Sequence, residues 1–440
     1  MVVGAIRGIF SLSRSLLAVG AVGVTVVAAA NSAERSSSLY SWGMGSHGQL
    51  GTGNESNAAS PMLVDAAEGV EIATISAGGH CSAFITERGD LFTWGNGNDG
   101  QLGHGSEVNE SLPRQVMAST PIRWSQVSCG RRHMAAVDTD GHAYSWGFGK
   151  RGRLGHGNNK SVPSPKVIEF EGLSSAGNVA TQIRKVACGD HHTLFLAADG
   201  TVYSCGGGTM RGRDDLPTTA MGAQATRTAD ISRPQPVETP PAQEIVDIAA
   251  GNEHSLALSA SGRVFAWGRS TFGQLGLGAD GQSSGIERPT LLSSLAAHRI
   301  VAIAAGGFHS LALSATGEVY AWGCGSDGQL GGGGSQDLKD TPLPVLVDLS
   351  HIQAEGDKVV SIQGGGSHSA LITAAGQVYL WGKGREGQLG QGDKLQSATF
   401  RRSAPVLLST GQWKQSAMTH LQVALGEDHS LCVRRLELVN

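Results

Sequence analysis

The sequence is poor in most of what marks a chemical site. Of its 440 residues 16% are charged and 5% aromatic, and the formal net charge is −4. No global basic field therefore draws the chain toward nucleic acid. The six cysteines (Cys81, Cys129, Cys188, Cys205, Cys324 and Cys432) are scattered, with no C-x-x-C pair. A disulfide-stapled secreted domain would be shorter and denser in cysteine, so they read as reduced, mostly buried thiols. The run of four glycines at 331–334 lacks the Lys-Ser/Thr that completes a phosphate-binding loop. No nucleophile, base and acid fall together, so no catalytic residue, metal site or cofactor is expected.

What is abundant is glycine, with 64 residues, about twice the usual share. The first segment stands apart. Up to Glu34 it has no acid, it carries Arg7 and Arg14 among serines, and residues 15–33 have no charge. An Arg- and Ser-rich, acid-poor start followed by an apolar stretch suits a mitochondrial presequence. Residues 15–33 are of borderline length for a membrane span and are the candidate for membrane association. Residues 1–38 are thus expected to be a targeting presequence or weak membrane anchor, directed to the mitochondrial inner membrane or matrix. The "VVAAANSA" stretch leaves the secretory pathway as the alternative.

The rest is a repeat. Tryptophan followed by glycine recurs at Trp42, Trp94, Trp146, Trp267, Trp322 and Trp381, and Cys205 holds the equivalent place in "TVYSCGGG". Eight residues after each tryptophan stands the leucine of a GQLG or GRLG loop. Thirteen residues before each later position stands Cys81, His133, His192, His254, His309 or His368. A half-copy around His429 ends the chain without a tryptophan, and Trp42 opens it without a histidine. The two ends are complementary halves of one unit, giving seven units. Within a unit, "SLALSATGEVYAW" reads as two strands about a glycine turn. Another strand precedes the Gly-x-x-His loop and a fourth follows GQLG. Four short strands repeated radially are the pattern of a propeller blade. The expectation is an all-β, seven-bladed β-propeller over residues 39–440, closed by pairing of N- and C-terminal strands in one blade.

The order Gly-x-x-His-Ser, glycine turn, Val-Tyr-x-Trp-Gly, Gly-Gln-Leu-Gly resembles the RCC1 (regulator of chromosome condensation) family, as in "GGGSHSALITAAGQVYLWGKGREGQLGQG" at 364–392. The resemblance spans residues 39–433 and implies a seven-bladed ring. Its mitochondrial members imply a non-catalytic protein-interaction scaffold that assists assembly of an organelle complex such as a ribosome or respiratory complex. The partner would be a protein complex or ribonucleoprotein. The founding members imply the alternative, guanine-nucleotide exchange on a small GTPase. Their chromatin anchor is a basic N-terminal tail, which the hydrophobic segment 1–38 does not match, so chromatin is not an expected partner. Plant ultraviolet receptors share the fold, but their added tryptophans lie in Gly-Trp-Arg-His-Thr stretches, and no Gly-x-x-His stretch here contains tryptophan.

The repeated tryptophans read as packing between blades. His133, His192, His254, His309, His368 and His429 occupy one equivalent position around a ring and are too dispersed to share an ion. Each is expected to brace its own loop. Cys188, His191 and His192 lie close in sequence, but Cys188 occupies a small core position. Strand parity puts the Gly-x-x-His and Gly-Gln-Leu-Gly loops on one face. There two successive units supply Arg131, Arg132, Lys150, Arg151, Arg153, Arg211 and Arg213, and the connection after Cys205 is long and unlike its siblings. Loops that break a repeat's rule are where function concentrates, so these seven residues are the candidate partner-binding set.

Overall fold

The computed structural model describes residues 35–118, 120–170, 182–207, 231–241, 243–278, 286–331, 339–392 and 416–438. They form seven antiparallel sheets, six with four strands and one with three. We number the blades by chain order. Blades 1 to 6 occupy 72–115, 124–167, 183–236, 245–291, 300–346 and 359–382, and blade 7 combines both ends of the chain. In blade 7, Ser416–Leu425 is innermost, then His429–Leu438, then Arg35–Gly43, with Ala58–Leu63 outermost. The seam runs from Arg35 against Glu437 to Gly43 against His429. This is the expected closure. The pairing starts at Arg35, so the strand takes in the last four residues of the segment 1–38. In blade 6 the place of a fourth strand falls in 393–415, outside the described residues. Residues 15–33 also lie outside them. Among the described residues no helix is long and apolar enough to cross a membrane.

Burial explains the strand composition. Within blades 1 to 6 the second strand, such as His309–Ser314, is buried at all six positions, because neighbouring sheets cover both its faces. Such strands read as continuous apolar or small residues rather than alternating ones. Outermost strands are half exposed, and each of the six described carries proline: Pro61, Pro113, Pro163, Pro234, Pro289 and Pro342. Proline cannot donate to a sheet, which protects an open edge from pairing with another chain. The glycine after each tryptophan is obligatory. At Gly95 φ is +106°, and a Cβ would stand 2.4 Å from the His80 carbonyl oxygen.

Candidate interaction face and the junctions beneath it

The repeated histidines lie against the glycine of their own Gly-x-x-His loops, where a Cβ on Gly130, Gly189, Gly251, Gly306, Gly365 or Gly426 would stand 2.1–2.8 Å from the imidazole Cε1, and each also reaches into the next blade. Each imidazole Nε2 reaches the hydroxyl that follows the histidine position in the next blade. The pairs are His133–Thr193, His192–Ser255, His254–Ser310, His309–Ser369, His368–Ser430 and His429–Ser82, at 2.8–3.1 Å. The geometry follows from the outward-facing position of the histidine on a strand sandwiched between sheets. At five of these borders the hydroxyl also donates to a backbone carbonyl in the GQLG-type loop: Ser82 to Gln49, Thr193 to Arg153, Ser310 to Gln274, Ser369 to Gln329 and Ser430 to Gln388. A hydroxyl has one proton. Having given it to the carbonyl, it accepts from the imidazole, so Nε2 carries the histidine's hydrogen.

The same carbonyls accept the indole N–H of the next blade's tryptophan. Trp94 donates to Gln49, Trp322 to Gln274, Trp381 to Gln329 and Trp42 to Gln388, at 2.8–2.9 Å. Trp146 likewise donates to Gln101. For Trp267 the equivalent carbonyl lies at 212, outside the described residues. One blade thus contributes a histidine and a carbonyl, the next a hydroxyl and an indole. Burial holds the imidazoles neutral. It pushes His192, His254, His309 and His429 down to about 3 and His368 to about 4, and takes His133 well below its ordinary value.

Two borders break this rule, and they flank blade 2. Between blades 1 and 2 the histidine is replaced by Cys81 and the hydroxyl by Met134, both fully buried. Losing both partners of a buried hydrogen bond together costs little, whereas losing one strands the other. Between blades 2 and 3 the tryptophan is replaced by Cys205, whose thiol lies 3.4 Å from the Arg153 carbonyl. There the glutamine of GQLG is Arg153.

The Arg153 exchange reshapes its loop. In five blades the glutamine Oε1 accepts the N–H two residues earlier, from His47, Asp99, Phe272, Asp327 or Glu386. A guanidinium only donates. Arg153 Nε instead donates to the Lys150 carbonyl at 2.9 Å. That carbonyl now faces the side chain, so the 150–151 peptide is turned over. Arg151 adopts φ +64°, the one positive φ of a non-glycine residue among those described.

The loop face inferred from strand parity exists, since Gly-x-x-His loops meet GQLG-type loops along it. Its cations are unevenly available. Arg153 is 1% exposed and also donates to the Asp190 carbonyl, so its assignment as a partner contact is corrected: it is a buried structural residue. Burial, with Arg132 and Arg151 nearby, lowers it to about 10, while Asp190 works in the opposite sense. Arg131 bridges Asp190 at 3.0 Å and Glu427 at 3.6 Å. Arg132 forks onto Asp99 through Nε and Nη2. Its guanidinium stands 3.9 Å from the Phe148 ring centroid, with Arg153 at 5.0 Å and the Lys150 ammonium at 5.7 Å. Lys150 is exposed and Arg151 half-buried. Arg211 and Arg213 lie outside the described residues. Cations around an aromatic ring were not legible in the sequence, although Phe148, unlike any sibling after Trp-Gly, was the available signal.

These loops also rim the central channel, a cavity of about 240 Å³ lined largely by their glycines and by Ser76, Ser128, Asn252, Arg131 and Glu427. Backbone N–H groups link successive loops around the rim: Gly79 to Gly130, Asp190 to Asn252, Asn252 to Gly307, Gly307 to Gly365, Gly366 to Gly426 and Glu427 to Gly78. Between blades 2 and 3 the link is the Arg131–Asp190 side-chain pair. Glu253, fully buried beside Arg269 at 3.1 Å, is raised to about 7 by burial, against the pull of that arginine. On the opposite face Asp138, Asp140 and His142 cluster. Asp138 there accepts the backbone N–H of Asp140 and His142 and the Tyr144 hydroxyl, which accounts for the group as a hairpin turn.

Seven radially arranged sheets with a velcro blade made from both chain ends define a seven-bladed β-propeller whose loops offer surfaces rather than reacting groups. The regulator of chromosome condensation (RCC1) repeat matches the chain seven times, over 36–85, 88–137, 140–196, 199–258, 261–313, 316–372 and 375–433. The chain belongs to this family. It is 34% identical to the RCC1 domain-containing protein RUG3, mitochondrial, of Arabidopsis thaliana, over 76% of this chain and 72% of that one. It is 32% identical to the ultraviolet-B receptor UVR8 of the same plant, over 81% and 75%. The E3 ubiquitin-protein ligase HERC2 of Mus musculus is 33% identical over 76% of this chain, but the match spans only 6% of the ligase. Prp20p of Saccharomyces cerevisiae, whose structure was described with its binding to Gsp1p and histones, shares the fold. Its TM-score is 0.74 at 23% identity, covering 92% of each chain.

Proposed function

We propose that this chain is a non-catalytic interaction scaffold of mitochondria that assists assembly of an organelle complex, a ribosome or a respiratory complex. The mitochondrial relative and the Arg- and Ser-rich first segment support the compartment. The observation that carries the scaffold reading is the cation cluster on the loop face of blade 2. Arg132 and Lys150 stand over Phe148 above the buried Arg153 guanidinium, with Arg151 next in the loop, on a chain of net charge −4. Such a cluster is complemented by an anionic partner surface, which speeds encounter and sets salt sensitivity.

The test compares two double variants in mitochondria. Lys150→Glu with Arg151→Glu alters the cluster, and Arg88→Glu with Arg123→Glu alters exposed arginines at the opposite end of the blades. Co-sedimentation with ribosomal subunits or respiratory complexes should fall on the order of tenfold for the first pair only. Equal co-sedimentation of both variants overturns the reading. Faster GDP release from a mitochondrial small GTPase, lost in the first pair, would instead establish the exchange-factor alternative that the founding members of the family imply.

A further inference from the structure

The border between blades 1 and 2 collects sulfur. Strand alternation shows how. Ser128 points toward blade 3, where its hydroxyl accepts the Cys188 N–H at 3.0 Å. Its neighbour Cys129 therefore points the other way, toward blade 1, and its own N–H donates to Ser76 of that blade. Met134 is the cross-strand partner of Cys129 in the sheet register, so the two side chains share a face. Cys81 stands where the other blades send a histidine toward their neighbour, and its thiol lies 3.9 Å from the Gly130 carbonyl. The three side chains belong to one buried cluster, in which burial, with the Cys81 thiol nearby, pushes the Cys129 thiol well above its ordinary value. Cys129 is also among the residues that line the channel wall.

We propose that Cys81, Cys129 and Met134 form a copper(I) site. Two thiols and a thioether are soft donors, the set that selects Cu(I). Structural zinc takes four ligands in a tetrahedron, and among the described residues this cluster offers three. Binding is balanced by proton release: Cu⁺ and two thiols give a bis-thiolate copper centre and two protons, with no change of oxidation state. The methionine completes a three-coordinate sulfur set. Because two protons leave, apparent affinity rises by about 100-fold per pH unit while both thiols are protonated. The plain alternative is that the three residues only fill space vacated by a histidine and a serine.

The experiment uses the full-length, reduced, metal-free protein titrated with Cu(I) against bathocuproine disulfonate. One equivalent should be retained, with sulfur-only coordination in X-ray absorption. Cys81→Ser and Cys129→Ser should each weaken binding by on the order of 100-fold, and Met134→Leu by less. Cys324→Ser and Cys432→Ser should leave it unchanged. The double variant Cys81→His with Met134→Ser rebuilds the hydrogen-bonded pair of the other six borders, so it should fold and lose the copper. Failure of the wild-type chain to retain copper, or retention by that double variant, overturns the proposal. Neither result bears on co-sedimentation of the loop-face variants.

Discussion

Blade 7 is assembled from the two ends of the chain, and blade 2 from one uninterrupted stretch. Blade 7 has complete junctions on both sides: His368–Ser430 and Trp42–Gln388 on one, His429–Ser82 and Trp94–Gln49 on the other. Blade 2 has lost the histidine–hydroxyl bond on one side and the indole bond on the other. Chain continuity secures blade 2 and permits weaker borders there without requiring them, since blade 5, also one stretch, keeps both junctions. At blade 7 the ring closes only if non-covalent contacts hold it, and every repeated contact is kept. The cations of the proposed partner face, the left-handed Arg151 among them, gather at the blade the chain itself secures.

Acid should give the largest effect, because it acts on six borders together. The buried histidines have folded values far below 6.5, so the unfolded chain binds more protons in the interval between. Their contribution is fully present above about pH 6.5 and is lost as pH falls through the folded values of about 3 to 4, at up to about 1.4 kcal/mol per pH unit for each. Glu253 runs the other way: raised to about 7, it favours folding below its unfolded value and loses that contribution as pH rises through 7. Glu427, also raised by burial, works in the same sense, and two carboxyls against six imidazoles leave the histidines dominant. Urea midpoints at pH 7, 6 and 5 should drop steeply. A flat profile would break the neutral-imidazole account of the junctions.

Truncating one indole tests the two blades against each other. Trp42→Ala should cost about 3–5 kcal/mol, whereas Cys205→Ala at the equivalent place should cost about 1 kcal/mol, from the smaller volume removed. Urea denaturation of both variants measures the contrast. Equal losses would mean that the border of blades 2 and 3 is built as tightly as the closure.

The smallest change is expected for Arg153→Gln. Restoring the acceptor lets the 150–151 peptide turn back and relieves a left-handed non-glycine residue, about 1–2 kcal/mol. It also leaves the Asp190 carbonyl without its guanidinium, a loss of similar size. The net shift should stay within about 1 kcal/mol, read as a melting-temperature change of a few degrees. A loss well beyond that would show that Arg153 stabilises the blade rather than merely replacing glutamine.

The ring was legible because its determinants are local and repeated. A glycine turn, a Trp-Gly pair and a histidine at constant spacing specify one blade, and complementary half-units at the two ends specify the closure. Even the irregular borders were written down, since Cys81 precedes Met134 and Cys205 replaces tryptophan in plain sequence order. What the chain order hides is which blade a side chain faces. Spacing places the histidines against their own loops, where they do lie, but it does not reveal the hydroxyl each also reaches in the next blade, because a strand between two sheets has a neighbour on each face and spacing along the chain does not choose between them. Arg153 was counted with the exposed cations for the same reason. In sequence it is one more arginine in a basic loop, but it inherits the buried glutamine's position, and only packing turns it inward, flips the peptide before it and leaves Arg132, Lys150 and Arg151 at the surface.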